Sequence, residues 1–343
     1  MERAADAHDL DAMIEKVAGE SGFAGVVRVD GVGPDTIVHA FGFADRGLAV
    51  PVAPTTRFNL ASGTKGFTAL TVVRLVVDGE LSLDTTARSV LGTDLPLVDD
   101  SVTVEHLLAH RSGIGDYFNE SAGGAITDYV MGVPVHELDG TEAYLRVLAG
   151  HTQVFRPGER FAYNNSGFVL LALIAERVSG IRFEDLVSRS VCVPAGLGAT
   201  GFVRSDEPTG DIAHGYLDSD GLRTNVLHLP VIGSGDGGIV SSAEDVHRLW
   251  VSLFAGRIVP LEWVQRMVEP RSVHPTGSAR YGLGFWLAPN GPAVQLEGYD
   301  AGASFRSMHD PARGLTMTVI SNTSEAAWPM CIPLEVALGL RDS

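Results

Sequence analysis

Residues 60–70 read LASGTKGFTAL, and the lysine in this stretch is unusual for its chain. Lysine occurs only at Lys16 and Lys65, so 23 of the 25 basic residues are arginine. On a solvated surface the two types serve about equally well, but inside a protein only the ammonium can lose its proton. Lys65 is therefore a candidate base, and Ser62 stands three residues before it. The run from Ser62 to Val77, following the strand-like RFNL, is predicted to be a helix; three residues is nearly one turn, so both side chains share a face. Phe67, Leu70, Val72, Val73, Leu75 and Val76 make that helix otherwise apolar, which would desolvate Lys65 and lower its pKa. A serine hydroxyl becomes nucleophilic when a neighbouring base takes its proton, and a helix N-terminus favours the nascent anion. A capping serine beside a snorkelling lysine would leave the same local pattern.

A second cluster follows RPGERF, where Pro157 and Gly158 mark a turn. AYNNSGFVLLALIAERVSG places Tyr163 and Asn165 on a loop entering a long apolar helix. A phenol can relay a proton to a leaving group or water, and an amide can hold the lysine or a substrate carbonyl. By themselves the two also fit a buried tyrosine and a helix-capping asparagine.

The order of elements sets these residues in a fold. Leu10, Met13, Ile14 and Val17 fall at helical spacing, and FAGVVRVDG and TIVHAFGFA read as strands separated by GVGPD. From Leu81 to Pro230 the chain is mostly helical segments and Gly-rich loops. Strands return at YGLGFWLA, PAVQLEG, ASFRSMH and LTMTVISN, the last two joined by DPARG, and a final helix begins near Glu325. Sequential strands usually share a sheet. The expectation is an α+β fold: one antiparallel sheet built from both chain ends (1–80 plus 231–343), flanked by terminal helices, with a mainly helical domain (81–230) inserted and the active site in the cleft between.

Ser-x-x-Lys at 62–65 with Tyr-x-Asn at 163–165 resembles the serine β-lactamase and penicillin-binding protein superfamily. The similarity extends through GELSLD, TVEHLLAHRSGIGDY, GSGDGGIVSSAEDVHRL and YGLGFW, roughly Phe41 to Asn322. The tyrosine of the second motif and the loop HRSG are most similar to class C β-lactamases, D-amino-acid-releasing peptidases and related esterases. The resemblance implies an α/β domain with an inserted helical domain and an acyl-enzyme on Ser62. Lys65 would then deprotonate Ser62, Tyr163 would pass the proton to the leaving group, and Asn165 would position Lys65 and the acyl oxygen. The family's Lys-Thr-Gly or His-x-Gly strand corresponds to EGYDAGASF, which lacks the cation. Tyr299 is expected in its place, with Ala301 or Gly302 near the backbone N–H that completes an oxyanion hole beside that of Ser62. Arg306 is the nearby cation that could compensate.

Composition excludes other classes. A net charge of −17 and a pI near 5.0 give no basic face for nucleic acid or an anionic membrane. Cys192 and Cys331 make neither a disulfide framework nor a metal cluster, and the eleven histidines lack ligand spacing. His110 is expected to order its loop or the cleft rim, and His309 to be solvated. GSGDGG at 233–238 formally fits G-x-G-x-x-G but follows no βαβ unit. TALTVVRLVV is broken by Arg74 and too short to span a membrane, and the acidic, amphipathic N-terminus lacks a secretory pattern, so a soluble cytoplasmic protein is expected. The reading is a cofactor-free serine hydrolase acting on a small ester or amide, with acyl transfer possible where water is excluded. The alternatives are a β-lactamase or D-stereospecific peptidase, and a non-catalytic binding protein on the same fold.

Overall fold

The structure is a computed structural model that describes residues 7–118, 123–207 and 209–341. Alternating apolar residues at both chain ends pair into one sheet. Its strands are β1 (Gly25–Asp30), β2 (Ile37–Phe41), β3 (Ser272–Val273), β4 (Arg280–Tyr281), β5 (Trp286–Leu287), β6 (Val294–Asp300), β7 (Ala303–Asp310) and β8 (Leu315–Ser321). Their order is β2-β1-β8-β7-β6-β5-β4-β3, with every neighbouring pair antiparallel. β1 lies beside β8, with Val27 opposite Val319, so the first and last strands meet in the sheet interior.

Helix α1 (Ala7–Ser21) and the C-terminal helix α5 (Ala327–Ala337) cover one face, where Leu10, Ile14, Met330 and Leu334 pack on Val27, Val29, Met317 and Val319. On the other face lie α2 (Thr64–Val77), α3 (Asn165–Ser179) and α4 (Ala243–Phe254). One apolar core runs from Val26, Leu296 and Phe305 through Phe67 into Leu107, Phe168 and Leu186 of the middle region. Among the described residues, 81–230 contains one strand, the two-residue Gly201–Phe202. α2 is buried without a break from Thr64 to Val73, and α3 from Asn165 to Ala175. A helix covered all round is a core helix, so both carry their first turns into the site on a rigid base.

Three expectations change. YGLGFWLA is two short strands, because Gly284 (φ +86) is pressed against α2 where a Cβ would lie 2.1 Å from that of Ala69. His309 is buried rather than solvated: it stacks on Trp250 with ring centroids 5.9 Å apart, its Nδ1 is 2.9 Å from Thr316 Oγ1, and burial lowers its pKa to about 4. Ser62 belongs to a 3₁₀ turn, Ala61–Gly63, ahead of α2. Cys192 and Cys331 are buried thiols. Among the described residues no helix is long and apolar enough to cross a membrane.

Candidate active site

The short strand Phe58–Asn59 delivers the chain into the turn that carries Ser62. Asn59 Oδ1 accepts from Ala61 N at 2.7 Å, Gly63 N donates to Leu60 O at 2.8 Å, and Thr64 Oγ1 donates to Ala61 O at 2.7 Å. Ala61 is held at φ +46, in the left-handed region that residues with a Cβ rarely adopt. Ser62 is left half-buried at a cleft, while Lys65, one turn on, is only 2% exposed. Lys65 Nζ donates to Ser62 Oγ, Asn165 Oδ1 and the Asp236 carbonyl, each at 2.8 Å. Asn165 Nδ2 donates to Phe118 O at 3.1 Å, which turns Oδ1 toward the lysine. A neutral amine in this nest would direct two N–H groups at fixed acceptors and its lone pair at the serine hydroxyl.

Residues outside the two short motifs hold this arrangement. The Asp116 carboxylate accepts from Asn165 N at 2.9 Å and Ser166 N at 2.8 Å, capping α3 together with Asn164, whose Oδ1 accepts from Gly167 N at 2.7 Å. Burial pushes the Asp116 carboxyl up, against the two amides and Lys65, which favour its charge. His110, at φ +54, is buried; its Nδ1 accepts from Asn164 N at 3.1 Å. Burial and Lys65 hold it well below the usual histidine range, so it stays neutral, its Nε2 set among the rings of Tyr163, Phe168 and Tyr281. The Tyr163 ring is stacked on Trp286 (centroids 5.8 Å, planes 9° apart), and its centroid is 5.0 Å from Lys65 Nζ. Ser62, Lys65, Tyr163 and Asn165 thus converge; His110 orders the loop beneath them.

The strand facing Ser62 requires two corrections. Ala301 and Gly302 form the two-residue turn between β6 and β7, with amides turned elsewhere: Ala301 N donates to Asp300 Oδ1 at 2.8 Å and Gly302 N to Ser324 Oγ at 2.9 Å. Neither donates into the cleft. The pair closing such a turn, Asp300 and Ala303, is hydrogen-bonded, so alternation along β6 points the Tyr299 N–H away from β7. The contact with the Ser62 turn is made by Gly298, where a Cβ would lie 2.0 Å from Leu60 O and 3.0 Å from Ser62 N. The Tyr299 phenol donates to Glu325 Oε1 at 2.6 Å. Arg306 does not serve the cleft as a free cation either, being paired with Glu297 and with Glu335 (2.6 Å to Oε1). Gly298→Ala should therefore destabilise the protein by about 1–3 kcal/mol by overpacking and lower turnover by about 10²-fold by displacing Ser62. Thermal unfolding and ester hydrolysis on one preparation check both effects, and wild-type values for both would remove the close contact from the argument.

The cleft has a volume of about 800 Å³ and is lined by Ser62, Tyr163, Trp286, Glu297 and Tyr299, with Arg160 at its exposed rim. A separate cavity of about 560 Å³ lies beyond Tyr117 and Asp236 and does not include Ser62.

The model of the Beta-lactamase family matches residues 10–337. Penicillin-binding protein 4* of Bacillus subtilis (strain 168) is 28% identical over 304 residues, covering 82% of this chain and 63% of its own length. Esterase EstB of Burkholderia gladioli is 34% identical over 207 residues, covering 57% of this chain and 52% of its own. The chain thus spans between about half and two thirds of these relatives. The crystal structure of a penicillin binding protein from Bacillus halodurans superposes with a TM-score of 0.88 at 32% identity, covering 94% of this chain and 99% of that one.

Proposed function

The chain belongs to the beta-lactamase family, and from that premise we propose that it is a serine hydrolase that forms an acyl-enzyme on Ser62 and acts on a small ester or amide. The observation that carries the reading is the 2.8 Å approach of buried Lys65 Nζ to Ser62 Oγ, with Asn165 Oδ1 and the Asp236 carbonyl fixing the amine. Lys65 takes the serine proton as Oγ attacks the acyl carbon; Tyr163, stacked beside Nζ, passes a proton to the departing alcohol or amine. Water then attacks the acyl-enzyme by the reverse proton path. The Ser62 N–H, at the head of α2, and the Tyr299 N–H hold the oxyanion, a role that moves from Ala301 or Gly302 to Tyr299 because of the phase of β6. No step needs a cofactor. The placement of Lys65, Tyr163 and Asn165 around Ser62 favours this over a binding protein on the same fold.

Substrate class follows from the wall facing Ser62. Gly298 is the one glycine of β6 and stands where the nucleophile turn allows no side chain, so a Lys-Thr-Gly-type motif registers on Leu296-Glu297-Gly298. The cation's position is then taken by buried Leu296, with Glu297 next to it. A penicillin or cephalosporin carboxylate meets no partner there, at a cost of about 1.5–3 kcal/mol, or about tenfold to a hundredfold in kcat/KM. p-Nitrophenyl acetate or butyrate should accordingly be turned over with higher kcat/KM than a chromogenic cephalosporin, with Ser62→Ala as the blank for both. A cephalosporin preferred by about tenfold would replace the esterase reading with that of a β-lactamase.

A further inference from the structure

Lys65 is gripped by two segments distant in sequence: Asn165 at the start of α3, and the 233–238 loop through Asp236 O. Nothing in the Ser-x-x-Lys or Tyr-x-Asn motifs sets the distance between them. Gly235 packs on α3, where a Cβ would lie 2.1 Å from Phe168 O, and Thr68 Oγ1 donates to Gly235 O at 2.6 Å. Tyr117 adds a side-chain tie at Asp236 itself. Its backbone N donates to Ser166 Oγ on α3 at 2.9 Å, and its phenol donates to Asp236 Oδ2 at 2.5 Å. Its carbonyl accepts from the Tyr129 hydroxyl at 3.1 Å, which pins the main chain a second time. The contacts close a ring: Lys65 to Asn165, along α3 to Ser166, to Tyr117, to Asp236 and back to Lys65. Asp236 is 8% exposed, and its carboxyl and Tyr117 stand between Ser62 and the cavity of about 560 Å³.

We propose that Tyr117 and Asp236 form a positioning pair for the base: the phenol–carboxylate bond fixes the spacing of the two acceptors that hold Lys65 Nζ against Ser62, and the buried carboxylate stabilises the ammonium formed when Lys65 takes the serine proton. This rests on the catalytic reading above. The bond is the tie nearest the Asp236 acceptor, so its loss loosens that acceptor against Asn165, and a misplacement of about 1 Å at a reacting atom can cost about 10²-fold. The titratable groups facing Lys65 are His110 and Asp116, Tyr163, and Asp236 itself. Burial pushes the Asp236 carboxyl up while Lys65 and Tyr117 pull it down, as in a pair whose charges depend on one another. A carboxylate beside the amine favours the ammonium, so removing its charge lowers the pH at which Lys65 loses its proton.

Tyr117→Phe deletes one oxygen and opens the ring; Asp236→Asn keeps an acceptor for the phenol but removes the charge. We expect Tyr117→Phe to lower kcat for p-nitrophenyl butyrate by about tenfold to a hundredfold with KM within about twofold. Asp236→Asn should keep kcat within about tenfold, a rescue by shape, while the acid limb of its kcat/KM profile moves to lower pH. The rate of Ser62 labelling by a fluorophosphonate, read by peptide mass mapping, should follow kcat in both variants. Absence of label on wild-type Ser62 would overturn the catalytic reading itself. Label on the wild type, with Tyr117→Phe matching its kcat, labelling rate and pH profile, would overturn the pair alone. Should Asp236→Asn fail to fold by circular dichroism, Tyr117→Phe decides the matter.

Discussion

Lys65→Arg should retain less than about one-thousandth of wild-type ester turnover, no more than Lys65→Ala, because general-base catalysis contributes about 10²–10⁴-fold and Lys65 is the amine held on Ser62 Oγ at 2.8 Å. Arginine keeps the charge, and a purely electrostatic lysine would tolerate it. The ammonium site is built for one tetrahedral nitrogen, with acceptors from Ser62, Asn165 and Asp236 each at 2.8 Å. A planar guanidinium neither fits that geometry nor gives up a proton near neutral pH. Thermal unfolding should accompany the assay, since Lys65 is buried and a larger head group strains its surroundings. A folded arginine variant with a tenth of normal kcat would make Lys65 a charge rather than a base.

Ser62→Ala should remove turnover by at least about 10⁴-fold and abolish fluorophosphonate labelling, because nucleophile and base act as one unit. The fold should survive. Ser62 is half-buried in a turn held by Asn59, Leu60 and Thr64, and Lys65 keeps Asn165 and Asp236 as partners when the hydroxyl is gone, so the loss is about 1 kcal/mol. Mass mapping of a labelled wild type beside the alanine variant gives the comparison. Label elsewhere in the chain, with activity intact in the variant, would move the nucleophile from Ser62.

What could be read from the sequence was what is encoded by spacing. Ser62 and Lys65 are one helical turn apart, and Tyr163 and Asn165 flank a helix start, so their proximity within each motif needs no tertiary knowledge. The long strands β1, β6, β7 and β8 announce themselves by apolar residues at strand spacing. Asp116, Tyr117 and Asp236 did not stand out, because each acts across a fold-dependent gap: Asp116 on the α3 amides, Tyr117 on Asp236, Asp236 on Lys65. The choice between Gly298 and the Ala301–Gly302 turn was likewise not local. Both stretches hold a glycine, and only the register of β6 on β7, anchored by Asp300 opposite Ala303, decides which amide leaves the ladder. His309 was misread because its strand is covered on both faces, and the covering Trp250 comes from α4.

Val27 lies opposite Val319, 292 positions on (319 − 27), which ties the site to the order in which a ribosome makes this chain. The wall that faces Ser62 and Lys65, Gly298 and Tyr299, belongs to strands synthesised 233 positions after Lys65 (298 − 65), and β1 has its partner β8 only after them. Pairing over such a separation is slow to form. Until it does, Lys65 is an ordinary hydrated lysine and the second oxyanion donor is missing. On the proposed mechanism, a partly made chain therefore carries Ser62 without its reactivity until the sheet closes.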